Sequence, residues 1–220
     1  MRRIESKDNP LVRRMSRLAS ERKFRRAQGE MVCEGEKMLR EALQSGIRVS
    51  DVLLSENREW DDALLEQAEN AGARLTQVPE RLLKSLSNVE TPQGLAFVCA
   101  QPVFGLDHLD GAQRLLVLDG LQDPGNLGTI LRTADAFALD GIILGEGCVD
   151  PASPKVVRAT MGAVFRIPVA AASLTDAAAW LKERNVPLYA TALHTTSVPL
   201  TSVKAIKTGM LRPHQGIGST

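Results

Sequence analysis

The stretch LLVLDGLQDPGNLGTILRTADAFALDGIILGE (115–146) contains two apolar runs, LLVLDGL (115–121) and GIILGE (141–146). Between them lie a Pro-Gly turn and a helical pattern over 126–139. Continuous apolar runs of this kind belong to strands covered on both faces, and therefore to a parallel sheet. The same alternation continues downstream, with a helix over 154–165, a strand in IPVAAA (167–172), a helix through DAAAWLKERN (176–185) and a strand in VPLYATAL (186–193). Alternating strands and helices predict a doubly wound α/β domain. Ligands of such sheets gather beyond the carboxyl ends of the strands, and the turn at 121–126 lies at one of those ends.

A second alternating series precedes this one. MVCEG (31–35), VSDVLLS (49–55), RLTQVP (74–79) and GLAFVCA (94–100) read as strands, separated by helical patterns over 35–46, 57–72 and 80–88. Glycine closes the first two helices, at Gly46 and Gly72. The segment QPVFGLDHLDGAQ (101–113), with a proline and two glycines, interrupts the series and reads as a linker. The expected organisation is an N-terminal α/β domain over 1–100, a linker over 101–113, a doubly wound α/β domain over 114–203 and a disordered tail over 204–220. The tail carries Lys, Arg, Gly, Pro, His and Gln without useful periodicity.

With 44% apolar and 24% charged residues, the composition is that of a soluble globular protein. No run approaches the roughly 18 apolar residues of a membrane span. The opening MRRIESKDNP has no apolar stretch behind its arginines, so it does not read as a secretory signal. Cys33, Cys99 and Cys148 are scattered among apolar runs, and His108, His194 and His214 are equally dispersed, so no metal site is expected. A reducing, cytoplasmic location follows. The net charge of +1 hides an asymmetry: residues 1–40 hold 12 Lys/Arg against 6 Asp/Glu, and the remainder 15 against 20. The basic excess lies in NPLVRRMSRLASERKFRRAQ (9–28), where Leu11, Met15 and Leu18 give a helix an inward stripe ringed by arginine. Such a surface is either a solvated helix face or a phosphate-binding one.

The turn at 121–126 is not a nucleotide loop. A phosphate cradle needs lysine and Ser/Thr after its last glycine, whereas Thr129 and Ile130 follow Gly128. Gly120, Gly125 and Gly128 also miss the dinucleotide spacing. Asn126 is a candidate helix cap. Ile130, Leu131, Ala134, Phe137 and Ala138 form the expected inward stripe, which leaves Arg132 on an edge with Asp135 three positions on. From spacing alone, Arg132 and Asp135 would form an ordinary ion pair of about 0.2–0.5 kcal/mol.

DPGNLGTILRTADAF (123–137) resembles the first motif of the SpoU-type (TrmH-like) ribose 2′-O-methyltransferases of the SPOUT class. SPKVVRATMGAVFRIPV (153–169) is similar to the family's next block. SKDNPLVRRMSRLASERKFRRAQGEMVCEGEKMLREAL and TPQGLAFV (91–98) resemble its RNA-binding domain. The resemblance covers residues 1 to about 200 and implies transfer of a methyl group from S-adenosylmethionine to a ribose 2′-hydroxyl of rRNA or tRNA. It implies a catalytic role for Arg132, with Asn126 shaping the loop and placing the ribose. An arginine keeps its proton near neutral pH, so stabilising a developing alkoxide suits it better than accepting a proton. RNA phosphates would be held by Arg13, Arg14, Arg17, Arg22, Lys23, Arg25, Arg26, Lys155 and Arg158, and the family assembles as a homodimer.

The C-terminal part departs from that pattern. The family's trefoil knot is built from an Asn-Glu-Gly loop and a Ser-Leu-Asn loop, and TTSVPLTSVKAIKTGMLRPHQGIGST (195–220) contains neither. The expectation is an incomplete knot and a sheet lacking an inner strand. Only Thr191, Ala192 and Leu193 would remain as cofactor contacts, and activity would be impaired, as after a frameshift or premature stop. The alternative is a non-catalytic RNA-binding module.

Overall fold

The structure is a computed structural model describing residues 2–87, 93–191, 197, 199, 202 and 208–211. From the N-terminus the chain forms β1 (Arg2–Arg3), α1 (Pro10–Ser20), α2 (Arg22–Gln28), β2 (Glu30–Glu34), α3 (Glu36–Gln44), β3 (Val49–Ser55), α4 (Asp62–Asn70), β4 (Arg74–Val78), α5 (Glu80–Leu86) and β5 (Leu95–Ala100). It continues with β6 (Val103–Phe104), β7 (Leu115–Leu118), α6 (Pro124–Ala136), β8 (Gly141–Leu144), α7 (Pro154–Thr160), β9 (Val169–Ala171), α8 (Leu174–Glu183), β10 (Leu188–Ala190) and β11 (Thr208–Leu211). The contacts divide the chain into two compact units: residues 1–102 with 150–166, and residues 103–149 with 167–220.

The first unit is built on a mixed five-stranded sheet in the order β1-β4-β3-β5-β2. Side chains alternate across it with the period of two that strands impose. Val52, Leu54 and Phe97 enter one core, while Leu53, Ala96 and Val98 enter the other. Met15 and Leu18 of α1 bury into the second core as expected, joined by Val12 in place of the half-buried Leu11. The basic segment is two helices instead of one. Glu21 has extended dihedrals and separates them, and Gly29, in the left-handed region at φ 62°, ends the second.

The break re-aims Arg25. Its guanidinium is buried, donating from Nε and Nη2 to Asp150 Oδ2 at 2.9 and 2.7 Å and from Nη1 to the Leu18 carbonyl at 2.7 Å. The other Asp150 oxygen accepts the Ala152 N–H at 3.1 Å. Segment 150–166 was expected in the second domain, yet it packs in the first unit, where Val157, Val164 and Phe165 complete a core. The apolar runs around it set the strand alternation, but periodicity carries no information about which sheet a helix covers.

The second unit is a six-stranded, wholly parallel sheet in the order β10-β11-β7-β8-β9-β6. Leu115, Val117, Ile143 and Ala170 pack against Ala177, Trp180 and Leu181 of α8. Two expectations are corrected here. The linker is partly structured: Val103 pairs with Val169, and a 3-10 turn at Leu106–Leu109 buries Leu109. Within the supposed tail, Thr208–Leu211 forms an inner strand paired with β10 on one side and β7 on the other. That pairing supplies the backbone partners a vacant position would leave unmade. Residues 204–207 and 212–220 lie outside the described residues.

Removing one partner of the Arg25–Asp150 pair strands a buried charge. Arg25→Met is therefore expected to lower unfolding free energy by about 3–5 kcal/mol in chemical denaturation. A loss below about 1 kcal/mol, the range of exposed pairs, would contradict the structural role.

Candidate active site

The site is built around α6, which starts directly beyond the carboxyl end of β7. Leu127, Gly128, Leu131 and Ala134 are its buried face. The expected stripe shifts accordingly: Ile130 is half-buried, and Phe137 is 70% exposed at the helix end, next to Ala138 at φ 50°. The cap also differs from the expectation. Asp123 Oδ1 accepts the Asn126 backbone N–H at 2.6 Å, and Pro124 occupies the first turn. An Asp-Pro pair before a helical run is a legible start signal, because proline lacks the N–H that the first position leaves unpaired anyway.

Asn126, Thr129, Arg132 and Thr133 are all solvent-exposed on α6. The two threonine hydroxyls donate back to the Gly125 and Thr129 carbonyls, each at 2.9 Å. Arg132 makes no hydrogen bond or ion pair with any described residue, the Asp135 carboxylate included. The ordinary ion pair expected from spacing is therefore not what occupies this guanidinium. Six residues separate Asn126 from Arg132, about 9 Å along the helix axis.

Cys148 lies beside the end of β7, its thiol reaching the Leu118 carbonyl at 3.4 Å. Burial pushes this thiol above its ordinary range, against opposing backbone hydrogen bonds. Thiolate chemistry there is disfavoured. Thr191 directly follows β10 at the sheet's carboxyl end, while Ala192 and Leu193 lie outside the described residues. Among the described residues no group of three or more His, Cys, Asp or Glu is placed to hold a metal, and no helix is long and apolar enough to cross a membrane.

The basic residues of the first unit sort by what already engages them. Arg25 is buried and turned inward to Asp150 and the Leu18 carbonyl. Arg14 bridges the buried carboxylates of Glu30 and Asp51. Arg13 pairs with Asp8 at 2.6 Å. Arg17 pairs with Glu21 at 3.0 Å and lies 3.8 Å over the Phe24 ring. Arg22, Lys23 and Arg26 are exposed on α2 without an ion pair among the described residues. On α7, Lys155 is exposed and Arg158 half-buried.

Residues 113–211 match the SpoU rRNA Methylase family, and residues 9–96 match the MRM3-like substrate binding domain. The chain is 35% identical over 193 residues to the 23S rRNA (guanosine(2553)-2'-O)-methyltransferase RlmP of Bacillus subtilis, covering 88% of this chain and 74% of that protein. The chain belongs to the SpoU rRNA methylase family. By that membership it is an S-adenosylmethionine-dependent RNA methyltransferase. Human mitochondrial rRNA methyltransferase 3 is 34% identical over 162 residues, which span 69% of this chain and 37% of that one. An AdoMet-bound rRNA methyltransferase from Sinorhizobium meliloti superposes with a TM-score of 0.86 at 29% identity, covering 97% of this chain and 82% of that one.

Because Cys33, Cys99 and Cys148 are all buried, a thiol reagent at about pH 8 is expected to label them only at the rate of unfolding. Full labelling of the folded protein within minutes would contradict that burial.

Proposed function

We propose that this SpoU-family chain methylates a ribose 2′-hydroxyl of ribosomal RNA, with Arg132 and Asn126 as its catalytic pair. The observation that carries this reading is the exposed guanidinium of Arg132, which no described residue engages, on the same helix as Asn126 at the family's motif positions. The ribose oxygen gains nucleophilicity as its proton passes to solvent, and negative charge gathers on it during attack. A fixed fork of N–H donors aimed at that oxygen stabilises the charge most where it is greatest. Arg132 supplies the fork. The Asn126 carboxamide, with one acceptor and two donor hydrogens, orients the sugar. S-adenosylmethionine, when bound, supplies an electrophilic methyl group on a cationic sulfur. Its proposed contacts are Thr191, which follows β10, and Ala192 and Leu193 next in sequence.

The named action of the Bacillus relative supports ribosomal RNA and the 2′-oxygen. The match of residues 9–96 to a substrate binding domain supports the first unit as the RNA-docking part. Within it, Arg22, Lys23 and Arg26, with Lys155 and Arg158, take phosphates. Arg13, Arg14 and Arg17 contribute less because carboxylates already engage them, and Arg25 serves the fold. The same reading carries a homodimer working in the cytoplasm.

Arg132→Ala is expected to lower kcat at least about 100-fold, as removal of an oxyanion donor does. Its RNA affinity should stay at the parent value. A variant as fast as the parent removes Arg132 from the mechanism. Calorimetry that finds RNA binding without S-adenosylmethionine binding would favour a non-catalytic RNA-binding module. Replacing Arg22, Lys23 and Arg26 together by alanine should reduce the slope of log affinity against log salt by about 2–3, one contact per phosphate. An unchanged slope would move the RNA surface elsewhere.

A further inference from the structure

A helix start leaves its first backbone N–H groups without internal partners, and one side chain usually caps them. At α6 two residues could do so. Were Asn126 the cap, its carboxamide oxygen would be engaged by backbone and lost to a substrate. The structure gives the task to Asp123, whose Oδ1 accepts the Asn126 N–H at 2.6 Å while its carbonyl accepts the Leu127 N–H at 3.1 Å. Gly125 keeps the space for this carboxylate: a Cβ there would stand 3.2 Å from Asp123 Oδ1. The Asn126 side chain itself is exposed and hydrogen-bonds to no described residue. A carboxylate is also the favoured charge at the positive end of a helix.

We propose that Asp123 is a positioning residue for methyl transfer, fixing the first turn of α6 so that the Asn126 carboxamide is free to meet the ribose. The proposal rests on the roles of Asn126 and Arg132 given above. It is distinct from a proton-accepting role for Asp123, which would fall to the carboxylate oxygen that the backbone N–H does not engage.

Two substitutions separate these possibilities. Asparagine caps a helix as well as aspartate does but is a far poorer proton acceptor. Asp123→Ala is expected to lower kcat about 10- to 100-fold, the usual cost of a displaced catalytic group, with KM for RNA unchanged. Asp123→Asn should recover most of that loss. If Asp123→Asn is as slow as Asp123→Ala, the residue acts in the chemistry and the positioning role is overturned. If Asp123→Ala matches the parent, the proposal also fails. Hydrogen exchange gives a readout independent of turnover: the Asn126 and Leu127 amides should exchange about fivefold faster in Asp123→Ala, and at the parent rate in Asp123→Asn. Unchanged exchange in Asp123→Ala overturns the cap. A parent chain that transfers no methyl group overturns the functional reading instead, and the exchange pattern separates that failure from failure of the cap.

Discussion

A helix lying on a parallel sheet can bury only one face, and in α6 that face is Leu127, Leu131 and Ala134. Each buried leucine contributes about 1.5–3 kcal/mol, against about 0.2–0.5 kcal/mol for an ion pair one turn apart. Packing therefore sets the rotation of α6, and local charge pairing does not. Asn126 and Arg132 are turned to solvent as a consequence, and no described residue engages either side chain. The chemistry proposed for this chain depends on that division of one helix between a packed face and an open one.

The first unit applies the same accounting to its arginines. A sequence count treats the N-terminal basic residues as equivalent, but the fold does not. Arg25 costs desolvation that hydrogen bonds and an opposite charge must offset, and Asp150 with the Leu18 carbonyl provides them. Arg14 spans the buried carboxylates of Glu30 and Asp51, and Arg74 holds the other Asp51 oxygen at 2.7 Å. What remains exposed on α2 is a small group, Arg22, Lys23 and Arg26. Affinity for a polyanion follows from such uncommitted charge, because only those groups displace counterions on binding.

Much of the architecture was legible in the sequence because apolar runs report burial directly. VSDVLLS, GIILGE and LLVLDGL became strands near their expected limits, and glycine closed the expected helices. The errors share a cause. Segment 150–166 continues the pattern of its neighbours in sequence, and nothing in DPASPKVVRAT announces that Asp150 answers an arginine 125 residues earlier. Thr208–Leu211 carries no strand signal, because four residues are too few to show a period. At the site, the motif resemblance points to Asn126 and Arg132, while local spacing favours a pair with Asp135 that the geometry does not form. The Asp123 cap is readable from Asp-Pro alone, although Asn126 is the more conspicuous candidate.

The position of the transferred methyl group tests the central claim most directly. RNA incubated with the protein and S-adenosylmethionine bearing a labelled methyl group would be digested with alkali. A 2′-O-methyl group blocks attack on the adjacent phosphodiester, so the label should appear in an alkali-resistant dinucleotide. Label recovered in mononucleotides would place the methyl group on a base and contradict the account.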